Sequence, residues 1–225
     1  MRCFVAGTDT DVGKTLIAAA LLIKCRERGW TAAGMKPVAA GCELRDGRPW
    51  NMDVETLAAA SGLPLDRALI NPYLFAAPIA PHIAAAEEGI DIDLDHLADC
   101  YARLCEQADA VVVEGAGGFL VPLGEGIDGG DLARRLGLPV LLVVGMRLGC
   151  INHALLTQEA IAARGLTLAG WVANRVDPGM ERFDDNLAAL ESRLHAPLLG
   201  VIPFLDSPDA AAAARHLELP ASPSN

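Results

Sequence analysis

The sequence predicts an α/β protein: a single doubly wound, mostly parallel sheet with helices on both faces. Three observations point there. Short aliphatic runs alternate with longer Ala- and Leu-rich segments along the chain. The runs are continuously apolar rather than alternating, as expected of parallel strands covered on both faces. The first run leads through a glycine-bearing turn straight into a helical segment, the usual opening of such a sheet.

Each element follows from its own stretch. Arg2 to Ala6 reads as a strand and Lys14 to Arg28 as a helix. Thr31 to Val38 reads as the second strand, and Asp53 to Ser61 and Leu94 to Glu106 as helices. Ala110 to Glu114 is an apolar run closed by a carboxylate, Asp131 to Leu136 a short helix, and Val140 to Val144 another apolar strand. Ile151 to Arg164 is helical, Leu168 to Ala173 a strand, Met180 to Leu194 a helix and Leu198 to Ile202 the last strand. Two stretches break the alternation. Ala39 to Met52 is polar with Gly41 and Gly47, and Asn71 to Gly89 carries Pro72, Pro78 and Pro81. Irregular segments of this length are expected to be functional loops. The tail from Ala210 to Asn225 reads as a short alanine-rich helix with a frayed end. No linker divides residues 1–225, so one domain is expected.

Composition narrows the function classes. The chain has 225 residues, 52% of them hydrophobic, enough for a large core and against disorder. Eighteen Lys+Arg against 29 Asp+Glu give a net charge of -11, and no basic run is present, so no nucleic acid partner is expected. The longest apolar runs, such as Leu16 to Ile23, are far short of a membrane span, and the N-terminus is too short in apolar residues for a signal peptide. Cys3, Cys25, Cys42, Cys100, Cys105 and Cys150 form no C-x-x-C pair and are expected to be free thiols. A cytoplasmic protein without a membrane partner is the expectation.

The stretch GTDTDVGKT, Gly7 to Thr15, carries the chemistry. It ends in Gly13-Lys14-Thr15 like a phosphate loop, but five residues separate Gly7 from Gly13 where the general pattern has four. Its place between a strand and a helix aims backbone N–H groups and a helix N-terminus at one spot, which binds phosphate. Lys14 can neutralise phosphate oxygens and the Thr15 hydroxyl can ligate Mg²⁺. Ligands of open parallel sheets bind beyond the carboxyl ends of the strands. Those ends carry Lys36 in MKPVAAGC, Glu114 in DAVVVEGAGG, Asn174 in GWVANRV and Pro203 in LLGVIPFL. Glu114 stands where nucleotide hydrolases hold Mg²⁺. Lys36 alone would be an ordinary solvated lysine; its strand-end position makes it a phosphate-facing candidate. Asp53 is either a helix N-terminal acid or a second Mg²⁺ ligand. Asn174 is either a turn residue or a reader of the adenine edge through its paired donor and acceptor. In VGMRLGCINHALL a glycine-bearing turn precedes a helix near Ile151, whose N-terminus suits a carboxylate.

Taken in order, GTDTDVGKT, KPVAAG, NPY with PHIAA, VEGAGG, VVGMRLGCINHALLT, GWVAN and LLGVIP resemble the dethiobiotin synthetases over nearly the whole chain. That family's loop is G-T-D-T-x-V-G-K-T, so the extra residue is its own form. The resemblance implies a P-loop NTPase-like fold and the use of ATP and Mg²⁺ to join CO₂ to 7,8-diaminononanoate and close a ureido ring, in biotin synthesis. It implies a carbamate whose oxygen attacks the γ-phosphate, and a second amine that expels phosphate. Lys14 and Lys36 would stabilise charge on phosphate and carbamate, with Thr10 and Asp11 beside the reacting groups. Thr15, Asp53 and Glu114 would hold Mg²⁺. The nucleotide would meet Asp11, Val12, Gly13, Lys14, Thr15, Leu16, Gly115, Ala116, Gly117, Asn174, Arg175, Pro203, Phe204 and Leu205. The family is a homodimer with sites at its interface, so the substrate's remote carboxylate would meet Leu148, Gly149, Cys150, Ile151 and Asn152 of a neighbouring copy. Two places depart from the pattern: Ala40 replaces a frequent serine substrate contact, and Asp11 is one methylene shorter than the frequent glutamate. Two other classes share parts of the pattern. A related P-loop ligase would not need the GCINHALL segment. A nucleotide-switch protein of the chromosome-partitioning kind generally carries a second lysine early in the loop, which Gly7 to Gly13 lacks.

Overall fold

The computed structural model describes residues 1–220 of the chain. Its first part runs β1 (Arg2–Gly7), α1 (Lys14–Glu27), β2 (Ala32–Met35), β3 (Val38–Ala40), β4 (Glu43–Arg45), β5 (Arg48–Trp50) and α2 (Met52–Ser61). Then come α3 (Arg67–Ile70), β6 (Tyr73–Phe75), α4 (Pro81–Glu88), α5 (Leu94–Cys105), β7 (Ala110–Glu114), β8 (Pro122–Gly124), β9 (Ile127–Asp128) and α6 (Gly129–Arg135). The rest is β10 (Val140–Gly145), α7 (Cys150–Ala163), β11 (Leu168–Asn174), α8 (Phe183–Glu191), β12 (Leu198–Ile202) and α9 (Ala210–Ala214). Six strands form one sheet in the order β12-β11-β10-β1-β7-β2, with every neighbouring pair parallel. This is the doubly wound parallel sheet expected from the sequence.

Side chains one residue apart on each strand serve two different cores. Cys3 and Val5 of β1, Val112 of β7, Leu141 and Val143 of β10 and Val172 of β11 pack with α1 and α9 on one face. Phe4 and Ala6, Val111 and Val113, Leu142 and Val144, and Trp171 and Ala173 pack with α5, α6, α7 and α8 on the other. A strand buried on both faces has no polar positions to spare, which is why these segments read as unbroken apolar runs. Gly34 on β2 lets α1 and α2 approach: a Cβ there would lie 2.9 Å from Leu22 and 3.0 Å from Leu57.

The two irregular stretches hold more structure than expected. The second strand does not run to Val38; it stops at Met35, and Val38–Ala40 pairs instead with Tyr73–Phe75 in a small parallel sheet of its own. Pro37 has no N–H to continue the ladder, so the chain leaves the main sheet at Lys36. Within Ala39 to Met52, β4 and β5 form an exposed antiparallel hairpin. Within Asn71 to Gly89, Pro81 opens the helix α4, where its missing N–H costs nothing. The tail forms the short alanine-rich helix expected, α9, and that helix is packed. Ala213, Ala214, Leu217 and Leu219 are buried against the α1 face, and Glu218 N–H donates to the Leu199 carbonyl. The alanine-rich segment therefore covers a core; the end expected to be frayed falls largely on residues 221–225, outside the described residues. Among the described residues all six cysteines are free, and no helix is long and apolar enough to cross a membrane. Burial pushes the Cys3 thiol up to about 12, which makes it unreactive.

The start of α6 is fixed by a capping box. The Asp128 carboxylate accepts from the N–H groups of Gly130 and Asp131, and the Asp131 carboxylate accepts from the Asp128 N–H. Arg164, at the end of α7, donates to the same Asp128 carboxylate at 2.7 Å and lies 3.1 Å from Asp131. Burial alone would raise the Asp128 carboxyl, but Arg164 and the cap N–H groups outweigh it and hold it below its usual value. Its contribution to stability is therefore present above about pH 4, the unfolded value, and is lost as pH falls through the lower folded value. Asp128→Ala is expected to cost about 1–2 kcal/mol in denaturant unfolding at neutral pH, and the gap to the native protein should narrow in acid.

Candidate active site

Because the main strands are parallel, their carboxyl ends share one edge of the sheet, and a cavity of about 600 Å³ opens there. It runs from the loop after β1 to the loops after β11 and β12. Of the residues singled out in the sequence, Thr10, Asp11, Gly13, Lys14, Thr15, Leu16, Lys36, Asp53, Glu114, Gly117, Asn174, Arg175, Pro203, Phe204 and Leu205 line it.

The phosphate loop is shaped by two left-handed residues, Asp11 (φ 56°) and Gly13 (φ 90°). Aspartate tolerates that region and glycine adopts it freely. At Gly13 space is also decisive. A Cβ would lie 2.2 Å from Asn174 Nδ2, which donates to the Val12 carbonyl at 2.9 Å. Val12 itself is buried beneath the loop and wedged so tightly that a Cβ on Gly145 would come within 2.7 Å of it. Gly13 is the N-cap of α1 with no side-chain cap, so the first-turn N–H groups are left for a ligand. Lys14 is folded back, its Nζ donating to the Asp9 carbonyl at 2.9 Å. Burial, reinforced by Lys36, lowers Lys14 to about 8.

A compact polar cluster lies beside the loop. Glu114 is 1% exposed at the end of β7, after four buried apolar residues of the strand. Its Oε1 accepts from Lys36 Nζ at 2.5 Å and from Thr15 Oγ1 at 2.8 Å, while its Oε2 is buried with no partner. Lys36 Nζ is also 3.2 Å from Asp53 Oδ2. Burial pulls Lys36 down, but Glu114 and Asp53 outweigh it, so the ammonium is held charged above its ordinary value. Burial also pushes the Glu114 carboxyl up, with Asp53 adding to it and Lys36 opposing. Burial works against Asp53 as well, but Lys36 and the Thr15 hydroxyl bring its carboxyl below the usual range. Asp53 sits in the first turn of α2, whose N-cap Asn51 accepts from the Asp53 and Val54 N–H groups.

The remaining sequence candidates lie elsewhere. Gly115 faces Phe4, and its carbonyl accepts from Lys36 at 3.3 Å. Val12, Gly115 and Ala116 are not among the lining residues, and Ala40 lies on β3. Leu148 to Asn152 stand at the start of α7, outside this cavity, with Leu148 94% exposed and Cys150 buried. Their helix begins at Gly149 (φ 94°) and, like α1, has no side-chain cap. The Asn174 carboxamide spends one of its two N–H donors on the Val12 carbonyl, and its Oδ1 is an acceptor for a base. Met52, Thr56, Val176, Pro208 and Ala210 line the cavity without having been singled out. Asn71 opens the NPY stretch. It is buried, and its Nδ2 donates to the Lys36 carbonyl at 2.6 Å and to the Tyr73 carbonyl at 3.0 Å, fixing the backbone from which Lys36 reaches Glu114.

Two kinds of comparison agree with this geometry. The solved structure of the septum site-determining protein MinD complexed with Mg-ADP from Pyrococcus horikoshii superposes with a TM-score of 0.55, covering 90% of this chain and 82% of that one at 17% identity. The cell division ATPase MinD of Pyrococcus furiosus gives 0.52, covering 90% and 83% at 19% identity. At such identities the likeness speaks for the fold, and with the loop and cluster described above it places the chain in the P-loop NTPase class. Over residues 1–212 the chain matches the family described as AAA domain. ATP-dependent dethiobiotin synthetase BioD of Aromatoleum aromaticum is 59% identical over 219 residues, 96% of each chain. The same-named protein of Janthinobacterium sp. is 53% identical over 226 residues, 99% of this chain and 96% of the relative. The chain belongs to the dethiobiotin synthetase family.

The lowered Lys14 has a direct consequence for anion binding. Its charge is present below about pH 8 and lost above it. ADP affinity, measured calorimetrically without metal, should therefore weaken by about tenfold between pH 7 and pH 9. Lys14→Met should bind weakly at both pH values. A flat profile for the native protein would show that Lys14 does not meet the phosphates as a titrating cation.

Proposed function

We propose that this protein is an ATP-dependent dethiobiotin synthetase that carboxylates 7,8-diaminononanoate with CO₂ and closes the ureido ring, releasing ADP and phosphate. The observation that carries the reading is the convergence of Lys14, Thr15, Lys36, Asp53 and Glu114 on one cavity beside a phosphate loop of the family's own length. The chain works as one domain, in the cytoplasm.

The residues fit a hard divalent cation. Glu114 Oε2 is buried without a partner, and the Thr15 hydroxyl and the Asp53 carboxylate lie in the same cluster, an oxygen set of the kind Mg²⁺ takes. Thr15, Asp53 and Glu114 would hold Mg²⁺, which would neutralise phosphate charge when bound with ATP. The rest is positioning and charge. Phosphoryl transfer asks little covalent help from the protein. An amine of the substrate takes up CO₂ as a carbamate, losing a proton. The carbamate oxygen attacks the γ-phosphorus and ADP leaves. The second amine then attacks the carbamoyl carbon, and phosphate leaves with the pair of electrons from the broken C–O bond and takes up the proton that the amine loses. Lys14 and Lys36 supply fixed positive charge where phosphate and carbamate charges meet. Thr10 and Asp11 form the wall beside them. The base would lie towards Asn174, Arg175, Pro203, Phe204 and Leu205, and Asn174 Oδ1 is an acceptor suited to an amino group such as that of adenine.

The substrate's far carboxylate would be met by the uncapped start of α7, Leu148 to Asn152, from a second copy of the chain. A homodimer is favoured by the exposure of Leu148 (94%) and Leu156 (61%) at and along that helix, surface that an isolated chain would leave to water.

Protein, ATP, Mg²⁺, bicarbonate and 7,8-diaminononanoate should together yield the cyclic urea, one per ADP, read by mass spectrometry. ATP turnover without that product would defeat the reading. Lys14→Ala should lower turnover by about 100-fold or more while leaving the unfolding transition nearly unchanged. Sedimentation at assay concentrations should give twice the chain mass of 23.6 kDa; a monomer with full activity would remove the shared-site proposal.

A further inference from the structure

The phosphate loop is one residue longer than the general pattern, and the structure shows what steadies the added length. Asp9 is tied at three points. Its Oδ1 accepts from the Thr10 N–H at 2.8 Å, its backbone carbonyl accepts from Lys14 Nζ at 2.9 Å, and its Oδ2 accepts from Arg147 Nη2 at 2.6 Å. Arg147 lies 138 residues further on, in the turn between β10 and α7. The same two segments touch at other points: Thr8 N–H donates to the Val143 carbonyl, Gly145 N–H approaches Thr8 Oγ1 at 3.4 Å, and Val12 packs on Gly145.

We propose that Asp9 and Arg147 are positioning residues: they clasp the phosphate loop to the turn that leads into α7, so that the loop holding Thr10 and Lys14 and the α7 N-terminus stay in fixed register. The inference rests on the reading of α7 as the carboxylate-binding element. Under that reading one turn serves two sites. It braces the phosphate loop of its own protomer and presents Leu148 to Asn152 to the substrate of the neighbouring one. The pair is suited to this rather than to holding the fold together. The Arg147 side chain is 41% exposed and that of Asp9 46%, and ion pairs so open to solvent contribute little to stability. Orientation is another matter, because small displacements of groups around reacting atoms cost rate steeply. Arginine also fits the task, since its planar fork fixes direction as well as charge.

The test compares the native protein with Arg147→Ala, Arg147→Lys, Asp9→Asn and the double variant Asp9→Asn/Arg147→Ala. Melting temperatures should agree within a few degrees. Amide hydrogen exchange in the ligand-free protein should quicken at Thr10 to Val12 in Arg147→Ala and stay unchanged in β1 and β10. In turnover, each of Arg147→Ala and Asp9→Asn should lower kcat for ring closure by roughly tenfold, an order expected for lost alignment. The yield of cyclic urea per ADP should fall below one, as ATP is spent without closure. The double variant should be no worse than either single one, and Arg147→Lys should recover most of the yield. Unchanged exchange in the loop would overturn the clasp, and so would additive losses in the double variant. Faster exchange with an undiminished yield would overturn its role in the reaction. If the native protein itself forms no cyclic urea, the functional reading fails, and the exchange measurement alone decides the clasp.

Discussion

A carboxylate buried at the end of a central apolar strand constrains much of what surrounds it. Glu114 cannot be solvated where it stands, and an unpaired buried charge would be costly. The chain meets that cost with Lys36 and Thr15 on one oxygen and leaves the other without a partner. To deliver Lys36, the second strand must break at Pro37, Asn71 must hold the Lys36 carbonyl, and the small β3–β6 sheet must take over the chain beyond. To balance two carboxylates against one ammonium, Asp53 stays near the mouth and Glu114 inside.

The main sheet was legible because burial on both faces leaves a simple trace, an unbroken apolar run ended by a glycine or a polar residue. β1, β7 and β10 carry it; in β11 and β12 the run is broken by Gly170 and Gly200, and β12 ends before Pro203. What escaped were elements too short to show a period. β3 and β6 have three residues each, and the β4–β5 hairpin is exposed on both sides, so no apolar pattern marks it. The packing of the tail escaped for a different reason. Alanines give little hydrophobic signal, yet they are the residues that let α9 lie close against α1, and Gly200 has no room even for a methyl group, since a Cβ would lie 2.1 Å from the His216 carbonyl oxygen.

The site was legible where one segment carries it and less so where the fold assembles it. Gly7 to Thr15 announces phosphate binding within nine letters. Asn71 and Arg147 act through residues 35 and 138 positions away, and a single sequence contains no sign of such distances. Asn174 shows the opposite risk: its residue type suggests a two-handed contact with a base, and the structure assigns one hand to the loop's backbone. The likeness to MinD proteins speaks for the fold alone; full-length kinship at over half identity places the chain among the dethiobiotin synthetases.

The dependence of this architecture on one buried pair is open to a single double-mutant cycle. Lys36→Met, Glu114→Gln and the double variant would be unfolded in denaturant with metal chelated. Because each single change strands the other member of the pair, Lys36→Met is expected to lose about 3–5 kcal/mol, and the double variant should recover a large part of that loss. Additive losses, or a Lys36→Met protein as stable as the native one, would show that Glu114 does not need Lys36 and that the cluster is not the constraint around which the site is built.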